Sequence, residues 1–504
     1  MQFIKTILAV LTALVIFTVL GIIFFLTIIS FSLDDKVINI KENSILKINL
    51  KGPLKDQEVD NPFENFGFHS GASRSVGLVS LVQTIKKASS DDKIKGIVIE
   101  PGLYYQGYSG LEELRNSLIQ FRDSGKFVVS WAENYSEKGY YLASASDEVY
   151  MAPEGYFEFN GLNASVIFFK KFFEKYDIEP EIFRVGEYKS AVEPFLREDL
   201  SPENREQLAS LLNSIDQYNL SKIAESRNIP FENVVSASKE MKVHNAEEAY
   251  EQKLIDGVIF KDEFIDLMKK KMEVEKEEDL NIISYSAYSS QLKKGSSENQ
   301  IAIVIAEGQV MPGNSPDELS SGYITKFLKK VREDEKVKAV VLRINSPGGE
   351  MQSSELIWRE VKLTAEKKPV IASFSNLAAS GGYYIAMGAD SIVAEPTTIT
   401  GSIGIFGMMF NFGDMLDKQL GITFDEVNTG DFSGMMTVNR SLTEAEREVI
   451  QKQVNKGYDT FIQRVADGRK TDKEKILAVA SGRVWSGLQA LDNGLVDALG
   501  GLET

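Results

Sequence analysis

Two short motifs set a serine among glycines. In Asn376–Tyr384, NLAASGGYY, Ser380 directly precedes Gly381 and Gly382, and Asn345–Glu350, NSPGGE, supplies a second glycine pair, Gly348 and Gly349. A serine at a strand-to-helix turn beside a Gly-Gly loop meets two requirements of acyl transfer. One is a nucleophile; the other is a set of outward-facing backbone N–H groups able to hold an oxyanion. The third is a base. The chain has no cysteine and two histidines. His69 lies in the loop-like stretch NPFENFGFHSGAS and His244 beside the acidic helical segment NAEEAYEQ, so both read as surface or capping residues. A lysine can replace histidine where burial lowers its pKa enough to leave free amine. Lys189, in GEYKSAVEPF, is the candidate. Taken singly, AASGG and SPGG are also ordinary tight turns, and YKS an ordinary solvated lysine.

The surrounding elements give these motifs fixed places. DDKIKGIVIE (Asp91–Glu100) resembles DEKVKAVVLR (Asp334–Arg343), a displacement of roughly 243 residues, and GYYLASASDEVYMAPEG repeats as GYYIAMGADSIVAEPTT at the same displacement. NAEEAYEQKLIDGVI and SGLQALDNGLVDALG match in the same way. A repeat this long is a duplicated domain, not a solenoid. Each copy alternates short apolar strands (IVIE, KFVVSWA, DEVYMAP; VVLRI, PVIASFS, DSIVAEP) with helical segments. That order predicts α/β layers on a mostly parallel sheet. The charged stretch Lys269–Gln300 reads as the boundary, with a strand expected at Leu280–Tyr285. The domains expected are 1–35, 36–285 and 286–504.

The copies differ where chemistry is at stake. Ser380 aligns with Glu137, Lys189 with Ser433, and NSPGGE with PGLYYQG. The serine and the lysine each occur once, in different copies. A site using both must form where two copies meet, within one chain or between subunits.

Composition narrows the function. Of 504 residues, 43% are hydrophobic and 26% charged, as in folded globular proteins, and the formal net charge is -17. An acidic chain disfavours nucleic acid as a partner. Absence of cysteine excludes disulfides and thiolate metal sites, no His/Asp/Glu cluster has ligand spacing, and no cofactor is expected. Ile7–Leu33 carries no charge, and about 20 apolar residues suffice to span a bilayer. It reads as an uncleaved transmembrane signal anchor, with the N-terminus cytoplasmic and the remainder outside the cytoplasm.

NSPGG, AASGGYY and TGSIGIFG, with YKSAVEPF upstream, resemble the signal peptide peptidase A (protease IV) family in its long, duplicated, membrane-anchored form. The resemblance runs from the anchor to Gly500. It implies two tandem ClpP/crotonase-like α/β domains, with Ser380 as nucleophile and Lys189 as general base. It further implies that Ser402 orients the lysine and that the N–H groups of Gly349 and Gly381 form the oxyanion hole. Its expected substrates are cleaved signal peptides and other apolar peptides, its expected assembly a homotetramer, and its expected location the inner membrane with periplasmic catalytic domains. Phe406, Met408, Met409, Phe410, Met435 and Met436 lie near the motifs and suit an adaptable apolar pocket or, equally, core or interface. Two rival readings are a crotonase-type acyl-CoA enzyme and a scaffold that has lost catalysis.

Overall fold

The computed structural model describes residues 2–32, 40–50, 52, 54–57, 76–102, 107–292, 297–316 and 318–504. His69, Tyr104 and Tyr105 lie outside the described residues. The first element is helix α1 (Gln2–Ser32). Among the described residues no helix is long and apolar enough to cross a membrane. The apolar run that suggested an anchor extends through residues 22–33, whose side chains are outside the described residues.

The first repeat is built on a sheet of β1 (Ser44–Asn49), β2 (Ile94–Glu100), β3 (Phe127–Ala132), β4 (Glu148–Met151), β6 (Gly257–Val258) and β7 (Asn281–Ser284), which follow β5 (Glu179–Val185) in sequence only for the last two. Its order is β6-β4-β3-β2-β1-β7, all parallel. The strand expected in the boundary stretch is β7, which covers the edge of β1. In β2, four consecutive residues, Gly96–Ile99, are buried, as a strand covered on both faces requires. Helices α2 (Leu78–Ser89), α3 (Tyr108–Asp123) and α4 (Glu137–Ala143) accompany it. Along α3, Leu111, Leu114, Leu118 and Phe121 fall on one face and are fully buried.

The second repeat uses β8 (Gln300–Glu307), β9 (Val337–Ser346), β10 (Val370–Ala379), β11 (Ser391–Ala394) and β15 (Ala498–Leu499), again parallel and in that order. Short β12 (Ile399–Gly401) extends β10 and pairs antiparallel with β14 (Val484–Ser486). Long helices occupy matching positions: α5 (Pro202–Arg227) in the first repeat, α8 (Glu444–Arg469) in the second. Both begin at a hydroxyl cap, Ser201 or Thr443, and both end in the left-handed region, at Asn228 or Lys470. Helices α6 (Met351–Ala365) and α7 (Gly381–Ala386) lie between these two.

Three features join the repeats. β5 of the first pairs antiparallel with β13 (Ile405–Asn411) of the second, from Val185↔Ile405 to Glu179↔Asn411. Fully buried Arg343 on β9 reaches Asp56 (2.7 Å) and, with two nitrogens, Glu113 of α3 (2.7 and 2.6 Å). Finally, Gln207, Ser210 and Ser214 form a polar stripe along α5, bonded to Val484, Gln489 and Ser486 of the second repeat.

Candidate active site

Ser380 sits where β10 gives way to α7, with φ 54° and ψ -121°. A non-glycine residue held at positive φ stores strain, which clusters at functional turns. The turn is pinned because Ser380 N–H donates to Gly401 O (2.9 Å). Ser402 follows Gly401, itself at φ 49°, and its N–H donates to Arg483 O (2.7 Å).

Lys189 arrives from the other repeat. It lies four residues beyond the end of β5, and the β5·β13 pairing sets it down next to Ser402, three residues before β13. Its Nζ lies 3.1 Å from Ser380 Oγ, 2.9 Å from Ser402 Oγ and 3.1 Å from Ser402 O. The contact forms within one chain, which answers the question the sequence left open. The stem threads between Gly404 and Gly482; a Cβ on Gly482 would stand 2.6 Å from Lys189 Cβ. Lys189 is 4% exposed and has no ion pair among the described residues. Burial therefore lowers its pKa to about 8. An amine so placed is part free base near neutrality and within reach of a hydroxyl proton.

The NSPGGE loop closes over the serine. Gly349, at φ 156°, packs so tightly on Val310 that a Cβ would overlap the Val310 carbonyl oxygen. Val310 N–H donates to Gly348 O (2.8 Å) and Glu350 N–H to Val310 O (2.9 Å). Glu350 then caps α6, accepting from Gln352 and Ser353 N–H. Gly349 N lies 3.0 Å from the Cβ position of Gly381, so the two glycine amides border the same space. Neither N–H donates to an acceptor among the described residues. Two unoccupied donors beside a hydroxyl can receive a carbonyl oxygen that becomes negative.

These groups open into a cavity of about 780 Å³. Leu208, Met351, Tyr384, Ile405, Phe406 and Phe461 supply its apolar wall. Of the six apolar residues singled out from sequence, Phe406 alone lines this cavity. Met409 and Met435 pack instead on Phe183, Leu442 and Val454. Leu208, Met351 and Phe461 were missed; each looks like an ordinary core position on an amphipathic helix. The Ser481–Val484 segment, which backs both Lys189 and Ser402, was also missed and carries little signal beyond Gly482.

Glu137, where the second repeat has Ser380, accepts from Asn160 N–H (3.2 Å) and Gly161 N–H (2.9 Å), and burial pushes its pKa up to about 7. Ser433, which aligns with Lys189, is exposed. His244 is a surface residue paired with Glu248. Among the described residues no group of acidic or histidine side chains could hold a metal.

The profile of peptidase family S49 matches residues 120–275 and 362–504. The chain belongs to peptidase family S49. Both repeats contribute to that match, as expected for a duplicated S49 domain. A "Serine protease SPPA, chloroplastic" from Arabidopsis thaliana is 35% identical, over 92% of this chain and 68% of that protein. "Protease 4" of Haemophilus influenzae is 34% identical over 95% of this chain and 81% of its own length. "Protease 4" of Salmonella typhi is 34% identical over 86% and 72%. As an S49 member at this level of similarity, the chain is a serine peptidase, which agrees with the resemblance drawn from its motifs.

Proposed function

We propose that the chain is a membrane-anchored endopeptidase working through a Ser380–Lys189 dyad. The observation that carries this reading is the 3.1 Å approach of a buried lysine, without a counter-ion among the described residues, to a hydroxyl on a strained turn. Neutral Lys189 takes the Ser380 proton as Oγ bonds to the scissile carbonyl carbon. The oxyanion that forms is held by the N–H groups of Gly349 and Gly381. Lys189, now protonated, gives its proton to the leaving amine as the C–N bond breaks. This leaves an acyl group on Ser380. Water then attacks the ester, Lys189 again accepting the proton; as the acyl C–Oγ bond breaks, Lys189 returns that proton to Ser380 Oγ and the acid departs. Ser402 keeps the amine aimed at Ser380 throughout, since its Oγ and carbonyl both lie within reach of Nζ.

Cleaved signal peptides and similar apolar peptides are the proposed substrates. The apolar cavity wall supports that choice, and so does the charge-free run Ile7–Leu33, which as an inner-membrane anchor would hold periplasmic catalytic repeats where such peptides remain. ClpP/crotonase-like domains and a homotetramer complete the reading; the exposed apolar residues Leu420, Val427 and Met436 are consistent with a subunit contact. An acyl-CoA enzyme would leave Ser380 and Lys189 without a role, and a scaffold would not need them so close.

The test is cleavage of a synthetic signal peptide by detergent-purified wild type, Ser380→Ala and Lys189→Met. Both variants should assemble and be inactive. Near-normal cleavage by Lys189→Met would end the dyad reading.

A further inference from the structure

We infer that Gln207 is the positioning residue for the lysine, clamping the Lys189 turn of the first repeat to β14 of the second. The inference rests on Lys189 being the base.

Gln207 is 2% exposed and lies in the second turn of α5. Its Nε2 donates to Ser190 Oγ (2.9 Å) and Tyr188 O (3.1 Å), the neighbours on either side of Lys189, and a third acceptor, Asn204 Oδ1, stands at 3.1 Å. Its Oε1 accepts from Val484 N–H (3.2 Å). A carboxamide offers donors at one end and an acceptor at the other, and here the two ends serve different repeats. The orientation is unambiguous, because a backbone carbonyl needs the donor and a backbone N–H needs the acceptor.

What Gln207 grips is the segment that assembles the site. Tyr188 N–H donates to Ser481 O (3.0 Å), Gly482 N–H to Ile403 O (2.8 Å) and Ser402 N–H to Arg483 O (2.7 Å). Ser481–Val484 therefore holds the backbone of Tyr188, next to Lys189, on one side and of Ile403 and Ser402 on the other, with Gln207 closing the loop at Val484. Gln207 is itself held. Asn204 Nδ2 donates to Glu193 Oε2 (2.9 Å), and Ser201 Oγ to Glu193 Oε1 (2.5 Å). The conspicuous Glu193 of AVEPF is thus the far end of a buried relay, Glu193–Asn204–Gln207, that ends on the Lys189 turn. A lysine stem has many rotamers, so restraining Tyr188 and Ser190 on either side of it narrows the positions from which Nζ can leave Ser380.

Wild type, Gln207→Leu, Ser190→Ala and Lys189→Met would be compared on one peptide, with kcat, KM and the pH dependence of kcat measured per mole of folded protein. Gln207→Leu should lower kcat by about 10–100-fold with KM within about threefold, the scale expected for displacing a reacting group by an ångström. The acid limb of its kcat profile should move to higher pH as water reaches a loosened amine. Ser190→Ala removes one acceptor only; it should lower kcat severalfold and shift the limb the same way. It keeps the test open if Gln207→Leu does not fold. A folded Gln207→Leu with unchanged kcat and limb overturns the inference, as does an unchanged Ser190→Ala where Gln207→Leu is unfolded. An active Lys189→Met overturns the dyad instead, so the two failures are distinguishable.

Discussion

Lys189 Nζ and Ser380 Oγ stand 3.1 Å apart although 191 positions separate them and each comes from a different copy of the duplicated domain. The β5·β13 pairing makes this possible: it is the strand contact that carries the end of one copy's ribbon onto the other copy's serine turn.

The first consequence concerns pH. In the proposed dyad Lys189 acts only as free amine, and burial brings its pKa down to about 8. The kcat of peptide cleavage should therefore rise with pH, reach half its maximum near pH 8 and level off above. A profile already flat between pH 6 and 9 would mean that another group takes the serine proton.

The same burial has a cost in stability. Unfolded, the amine titrates near 10.5; folded, near 8. Between those values the unfolded chain binds more protons, so folding stability rises with pH across that window. Below about pH 8 the folded chain carries a buried charge costing about 3 kcal/mol, at ~1.4 kcal/mol per pH unit. Lys189→Met should thus unfold at higher temperature than wild type at pH 7, with the advantage fading toward pH 10.5. A variant less stable than wild type at pH 7 would contradict this account.

Gly349→Ala tests the amide pair. A methyl there would collide with the Val310 carbonyl and push the N–H away from Gly381. Loss of one oxyanion donor typically costs about 10²–10³ in kcat. KM should change little, and unchanged kcat would remove Gly349 from the site.

Arg343→Met tests the seam. It leaves Asp56 and Glu113 buried without their shared cation, and breaking such an arrangement costs about 3–5 kcal/mol. The urea midpoint should fall accordingly; a midpoint equal to wild type would show the triad to be dispensable.

Much of this was legible in the residues themselves. The duplication, the parallel α/β order and the boundary strand all follow from apolar runs at matching positions, because buried parallel strands need near-continuous apolar sequence. Ser380, Lys189 and the Gly348–Gly349 pair stand out because their motifs are short and local, whereas Ser402 and the amides of Gly349 and Gly381 were reached only through the resemblance to signal peptide peptidase A. Gln207 does not. Its importance comes from what the fold brings to it, Tyr188, Ser190 and Val484, and a buried glutamine on a helix resembles any surface one in sequence. The apolar wall was only partly legible for a similar reason: Phe461 and Met351 lie on helices whose facing side only tertiary packing decides. Met408 and Met409, on β13, are not among the residues of the cavity wall.

The cross-repeat ribbon also bears on how such a chain can change over generations. If, as proposed, one copy's lysine serves the other copy's serine, neither copy is a spare. Deleting either leaves no half-active enzyme. On that reading Glu137 and Ser433 need no part in the chemistry, while the strand that delivers Lys189 does. On that reading duplication acts as a ratchet: two units of one fold make a single inseparable catalyst.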